Sequence, residues 1–378
     1  MKNVLFYTIV LSLAFLVCCK KPYEPAVLKS NNRFLVVEGV INAGANASTT
    51  ILLSRTRNVY DTLPSDPELF ARASIESEGG GVFPLQEQGN GVYISANQNL
   101  NAAGKYILKI TTKDENQYLS DFVPVKQAPP IDSISWEQSL AGVNIFVNTH
   151  DPLNKTIYYR WEFLETWEYH SFFDSHLGFK NGQVYFLDSS ELKNRCWSNS
   201  PSTEVLIANS LKLSEDIISL APITSISRHD EKIIFRYSIQ VKQYALTKEA
   251  FEHWQILEKN KKQRGSIFEG QPAQLTENIH CVTNPGERVI GWVSASTIHE
   301  KRIYIRNSEV APWGRGPTGV ACPVIYIDPS EAAAYMLRDP ENTPAYFVTG
   351  GGLVITHKRC VDCRLNGNGI PVKPSFWQ

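Results

Sequence analysis

Residues 104–112 read GKYILKITT. Lys105, Ile107, Lys109 and Thr111 alternate with Tyr106, Leu108 and Ile110, a period of two that puts one set on each face of a strand. Lysines on one face and large apolar side chains on the other predict a strand with a single buried face. Segments 34–41 (FLVVEGVI), 49–54 (TTILLS), 73–76, 91–95 (GVYIS) and 117–123 carry related patterns, separated by Gly-rich breaks such as Gly79-Gly80-Gly81. Short strands at this spacing, over roughly 95 residues, predict an immunoglobulin- or transthyretin-like β-sandwich across 33–128. The stretch 124–130 (PVKQAPP) reads as a stiff linker, because proline cannot continue a ladder.

Beyond the linker the pattern resumes at 134–137, 143–148, 156–166, 183–186, 204–208, 232–243, 287–294 and 300–306. Segment 232–243 (KIIFRYSIQVKQ) is the strongest, dense in β-branched and aromatic residues. A helix is predicted at 247–262, with Thr247 as N-cap and Ala250, Phe251, Trp254 and Leu257 on one face. Region 131–307 is therefore expected to be a fibronectin type III-like sandwich with an inserted helix. From 308 to 378 the chain turns loop-rich, with a short helix at 330–338, and is expected to pack on the second domain. The fold class is mainly β, two tandem sandwiches and an extension.

The first nineteen residues differ from all of this. Met1-Lys2-Asn3 precede an apolar run, 4–17, that ends at Leu16-Val17-Cys18-Cys19 before Lys20-Lys21. About fourteen apolar residues are too few to span a bilayer, which needs roughly twenty. A basic start, a short apolar core and a compact end describe an export signal. Leu16 three places before Cys19 resembles the lipobox of bacterial lipoproteins, which implies cleavage before Cys19 and lipidation of its thiol. Cys18 would instead put Phe15 at the leucine position. An ordinary secretory signal with an incidental cysteine pair is the alternative. Residues 20–32, polar and carrying two prolines, read as a tether between lipid and fold.

Composition excludes one class of partner. With 37 basic against 38 acidic residues and a net charge of -1, there is no cationic excess to neutralise a phosphate backbone, so nucleic acid is not expected. Past the signal no apolar run approaches bilayer length, so the mature chain is expected to be anchored to a membrane and not threaded through it.

Seven cysteines less the signal pair leave Cys196, Cys281, Cys322, Cys360 and Cys363. Five is odd, so at most two bridges form within the chain and one thiol remains. In an exported protein these favour disulfides, and Cys322 is expected to bridge to Cys360 or Cys363. His357, Cys360 and Cys363 also have metal-ligand spacing, H-x-x-C-x-x-C, but an oxidising space favours the staple, and neither metal nor cofactor is expected. A redox role would need a helix after the C-x-x-C, which Gly367, Gly369, Pro371 and Pro374 prevent. G-x-S-x-G, H-E-x-x-H and a phosphate loop are absent, and the chain is read as non-enzymatic. The densest aromatic cluster runs from Tyr158 to Phe173. Alternation assigns Tyr159, Trp161 and Phe163 to a core, while Trp167, Tyr169, Phe172 and Phe173 lie past the clean alternation and form a candidate exposed binding patch.

The order of these features resembles domain-of-unknown-function family 4249. The residues that carry the likeness are the lipoprotein signal, Val37-Glu38-Gly39-Val40-Ile41, Tyr158-Tyr159-Arg160-Trp161, and the closing C-V-D-C-R (360–364) with Pro374-Ser375-Phe376-Trp377. The resemblance implies an outer-membrane lipoprotein, surface-exposed or periplasm-facing, that acts as accessory to a SusC-like TonB-dependent receptor. It carries over no catalytic residue. Lys20-Lys21 departs from the acidic residues that follow the anchor in surface-exported relatives. A free-standing glycan- or protein-binding adhesin is the alternative function, and an enzyme of unrecognised type a lesser one.

Overall fold

The computed structural model describes residues 33–57, 66–262, 273, 275–310, 321–367 and 369–378. The signal, the Cys19 anchor and the 20–32 tether lie outside the described residues, as does most of the Pro/Gly-rich run after 308.

Strands β1 (Leu35–Asn42), β2 (Thr50–Arg55), β3 (Arg72–Ser77), β4 (Val82–Gly89), β5 (Val92–Ser95), β6 (Lys105–Thr111), β7 (Gln117–Ser120) and β8 (Val123–Lys126) build the N-terminal unit. The β6 alternation is realised: Tyr106, Leu108 and Ile110 are buried and Lys105 and Lys109 are not. Next come β9 (Ile131–Gln138), β10 (Gly142–His150), β11 (Tyr158–His170), β12 (Leu177–Lys180), β13 (Gln183–Phe186), β14 (Arg195–Pro201), β15 (Leu206–Asn209), β16 (Ile217–Ser227) and β17 (Arg236–Leu246). Helix α1 (Lys248–Lys262) follows, then β18 (Ile279–Cys281), β19 (Val289–Gly291), β20 (Ser294–Ser296) and β21 (Ile298–Arg306). The extension holds β22 (Ile325–Ile327), α2 (Ala332–Arg338), β23 (Asn342–Phe347) and β24 (Leu353–His357). The chain is mainly β, as its patterning predicts.

The N-terminal unit is not an open two-sheet sandwich. Its ladder runs β1–β2–β5–β4–β3–β6–β8–β20 and closes where β20 pairs with β1, a ring of eight strands. Closure removes the exposed edges that an open sheet would leave. Segment 287–294, expected in the second sandwich, belongs here instead: β19 and β20 lie parallel to β1, and β18 extends the sheet beyond β7. Parallel pairing needs a long crossover, and the whole second unit with α1 is that crossover. The helix is therefore the route by which the chain returns to the barrel. Thr247 caps it, with Oγ1 accepting from the Ala250 N–H at 3.2 Å.

The second unit packs the three-stranded sheet β16–β10–β9 on the five-stranded sheet of β14, β11, β17, β21 and β15. Val143, Ile145 and Val147 of one sheet share a core with Tyr159, Trp161, Ile239 and Val241 of the other. The extension forms the small sheet β22–β24–β23, whose core of Ile327, Ala332, Met336, Leu353 and Ile355 also takes Leu177 of β12. It meets the second unit through that residue and through the Cys196–Cys363 bridge. Its last residues lie on the outer face of the five-stranded sheet. There the Arg302 guanidinium stands 3.7 Å over the Phe376 ring and Arg236 lies over Tyr304 and Trp377 at 4.8 and 5.8 Å. The closing P-S-F-W thus acts as a clasp on the sheet.

Candidate functional site: an aromatic ledge and a cleft at the barrel junction

The candidate patch divides. Trp167 and Tyr169 are buried in the core of the second unit, a correction to the expectation that they are exposed. The reason is the length of β11, which runs to His170, paired with β17 through Glu168 and with β14 through the end, so the inward alternation of Tyr159 and Trp161 continues through Glu165, Trp167 and Tyr169. Glu165 at the middle of that row is charge-compensated: it accepts from the Tyr237 hydroxyl at 2.8 Å and the Lys232 ammonium at 2.7 Å. The Tyr169 hydroxyl donates to the Cys363 carbonyl at 3.1 Å.

Phe172 and Phe173 fall past the strand's end and are outside that core. Phe172 is 49% exposed and meets Phe173 edge-on at 4.8 Å, Phe173 lies 5.7 Å from Tyr346, and Phe186, 73% exposed, lies 6.2 Å from Phe347. These residues, from three separate stretches of chain, form two aromatic clusters that edge the extension's sheet as a ledge: Tyr346 and Phe347 are consecutive in β23, so Phe172–Phe173–Tyr346 and Phe186–Phe347 lie on its opposite faces. Sequence reading found two of them; the other three come from the β13 and β23 segments, where no local pattern marks them.

Sulfur fixes the ledge. Cys322 pairs with Cys360 and Cys196 with Cys363, each pair with Cα atoms 5.8 Å apart. The Phe173 N–H donates to the Cys360 carbonyl at 2.9 Å, so the ledge hangs directly on one staple. Cys360 and Cys363 go to different partners, which takes both sulfurs from the H-x-x-C-x-x-C metal spacing. Among the described residues no group of three potential metal ligands converges. The thiol left over is Cys281, buried in the barrel.

A second feature has no counterpart in the sequence reading. Where α1 meets the barrel and β11, a cavity of about 590 Å³ opens, lined among others by Glu38, Arg160, Glu162, His253, Trp254 and Trp292. The Arg160 guanidinium lies 4.0 Å over the Trp254 ring and bonds Glu162, whose other oxygen accepts from the Tyr244 hydroxyl at 2.7 Å. Burial, reinforced by Glu162, raises the Tyr244 pKa. His253, 3% exposed, donates from Nδ1 to the Thr276 carbonyl at 2.7 Å, and its ring lies 5.1 Å from Trp292. Burial and the Arg160 charge outweigh that hydrogen bond and push the imidazole below its ordinary pKa, so it is neutral at pH 7.

Trp292 reaches the cavity because the barrel ladder breaks there. Beta-1 pairs with Val289–Gly291 and then with Ser294–Ser296, leaving Trp292 and Val293 between. The buried Asn278 holds the break, donating to the Val293 carbonyl at 2.8 Å and accepting its N–H at 2.9 Å. Opposite the break stands Gly39, at φ 139°, where a Cβ would lie 2.5 Å from the Thr50 carbonyl oxygen. Glycine is required by that approach. So the V-E-G-x-I stretch lines the cavity, and Arg160 of the Y-Y-R-W stretch forms its wall.

The profile of DUF4249, a domain of unknown function, matches residues 20–302. The chain belongs to this family. The matched residues take in the barrel, the second unit up to the middle of β21 and every cavity residue named above, while Cys322, Cys360, Cys363 and the Tyr346–Phe347 part of the ledge lie beyond them. No curated protein matches the chain. Among solved structures, a DUF4785 family protein from Legionella pneumophila is 10% identical over 55% of this chain, with a TM-score of 0.20; the chain covers 52% of that protein, about half its length. A two-domain fibronectin type III segment of chicken tenascin is 12% identical over 55% of this chain and 88% of its own, at a TM-score of 0.15. The adhesin InvE of Yersinia pseudotuberculosis is 12% identical over 56% and 54%, also at 0.15. Likenesses at this level carry no function across.

Proposed function

We propose that this chain is a lipid-anchored outer-membrane protein that docks, through its aromatic ledge, on a TonB-dependent transporter of the SusC type and serves it as a non-enzymatic accessory. The observation that carries the docking reading is the two-faced ledge along β23, Phe172, Phe173 and Tyr346 on one face and the Phe186–Phe347 pair on the other. Large aromatic side chains held open to water by a disulfide-stapled platform are what partner interfaces use as anchors. Leu16-Val17-Cys18-Cys19 supports the lipid anchor at Cys19, and the implication of the family resemblance supports the transporter as partner. The lipid would hold the payload near the barrel mouth, so that a modest docking affinity suffices through raised local concentration.

The test is co-purification of the tagged full-length protein from its native outer membrane. The expected result is a transporter that accompanies the wild type and is lost from Phe186→Ser/Phe347→Ser, a variant of exposed side chains that leaves the melting temperature within a few degrees. A protein that runs alone from gentle detergent overturns the reading. Protease shaving of intact cells fixes the side of the membrane on which the ledge lies.

A further inference from the structure

We propose that the cleft between α1, β1 and β11 is a binding site for a neutral saccharide of one or two rings. Its volume, about 590 Å³, lies in the range of small-molecule sites and leaves room for such a ligand. Its walls include the half-buried Trp254, one face of which Arg160 covers, and the half-buried Trp292, whose ring offers negative π density to the C–H bonds of a sugar ring.

The polar groups set the ligand's chemistry. His253 is more than nine-tenths buried, and its Nδ1 is committed as donor to Thr276. His253 lines the cavity, and a neutral ring that donates from Nδ1 leaves Nε2 unprotonated, an acceptor. Glu162 adds carboxylate oxygens with lone pairs to spare, on a side chain 40% exposed. Arg160, the cationic donor nearby, is turned against the Trp254 face and spent on Glu162. The site therefore offers acceptors and asks its ligand for hydrogen-bond donors. Charge at the cleft is cancelled in two pairs, Arg160 with Glu162 and Lys261 with Glu204 at 2.9 Å, and the remaining charged residue of the lining is a carboxylate, Glu38, so nothing there selects an anion. Hydroxyl groups on a ring with an apolar face satisfy all three conditions.

Tryptophan fluorescence and calorimetry on the detergent-solubilised full-length protein test this, with maltose, cellobiose, lactose, xylobiose and diacetylchitobiose as probes and choline as a cationic control. The expected result is saturable quenching by at least one disaccharide, no response to choline, and binding weakened at least tenfold in Trp292→Ala. Glu162→Gln, which keeps the side chain's size and an oxygen for the Tyr244 hydroxyl, should weaken binding as well and covers the case in which Trp292→Ala does not fold. Absence of a saturable response to every saccharide overturns the proposal, as does a response to choline in their place or saccharide binding unchanged in both variants. Phe186→Ser/Phe347→Ser should bind saccharide like the wild type, which separates this site from docking at the ledge.

Discussion

The barrel and the C-terminal extension are both small β units, and they are fastened in opposite ways. The barrel closes on itself through main-chain hydrogen bonds and fills its interior with Leu35, Ile41, Ile51, Leu53, Ile75, Tyr93, Leu108 and Ile110, each essentially without exposure. Its cysteine, Cys281, is unpaired. The extension buries few apolar residues, leaves Tyr346 and Phe347 exposed, and is tied down by both disulfides and by the Phe376–Trp377 clasp. A closed ladder over a full core stabilises itself, whereas a sheet of three short strands needs staples. The lesson is that exposure of the ledge is made possible by sulfur: the platform need not fold over its own aromatic residues to stay in place.

Removing the staples is the largest way to break this contrast. Cys196 and Cys363 are 167 residues apart and Cys322 and Cys360 are 38 apart. On chain entropy alone, losing the first bridge costs about 5 kcal/mol and losing the second about 4 kcal/mol. Cys196→Ser/Cys363→Ser should therefore be the more damaging pair, read from urea unfolding. Hydrogen exchange should show protection lost in β22–β24 and kept in β1–β6. Barrel amides that lose protection to the same extent would mean that the two units are one cooperative body.

The converse perturbation acts on the barrel. Gly39→Ala forces a Cβ to within 2.5 Å of the Thr50 carbonyl at a backbone angle that L-residues rarely adopt. The expected cost is about 2–3 kcal/mol, from a strained φ plus displacement of β2. It should lower the protection of β1 and β2 while the stapled extension keeps its own, and it should weaken any cleft ligand, because Gly39 lines that wall. An unchanged unfolding midpoint would show that the barrel absorbs the strain.

These two regions were also unequally legible in the sequence. The β6 alternation, the Thr247 cap and the helix after it were readable because each is a local pattern, confirmed at Tyr106, Leu108 and Ile110 and at the Ala250 amide. Ring closure was not, since it depends on β20 pairing with a strand some 250 residues earlier, between Ser294–Ser296 and Val40–Asn42, and no local period encodes that. Strand β4, VFPLQEQG, carries Pro84 and three consecutive polar residues where a strand would alternate, so it does not stand out. Trp167 and Tyr169 were misplaced because apolar Leu164 and charged Glu165 stand in each other's expected places and break an alternation that pairing with both β14 and β17 extends. The cleft joins residues from 38 to 292, so its parts carry no shared signature.

The smallest effect, and the one that probes the junction between the units, is set by two histidines of opposite sign. His253 is held below its ordinary value of 6.5, first by burial and then by Arg160. Below 6.5 the unfolded chain binds a proton that the folded chain refuses, so this contribution to stability is complete above 6.5 and is lost as the pH falls. His150, fully exposed, is raised by its hydrogen bond to Asp132 at 2.7 Å; its contribution is complete below 6.5 and is lost as the pH rises through the raised value. Melting curves between about pH 5 and pH 8 should show an acid-side slope that His253→Gln flattens and an alkaline-side slope that His150→Gln flattens. Because His253 lies where α1 meets Trp292 of the barrel, acid should loosen the helix and cleft first and leave the disulfide-held ledge in place. Equal loss of protection in α1 and in β22–β24 on acidification would contradict that order and make the junction, not the staples, what holds the extension.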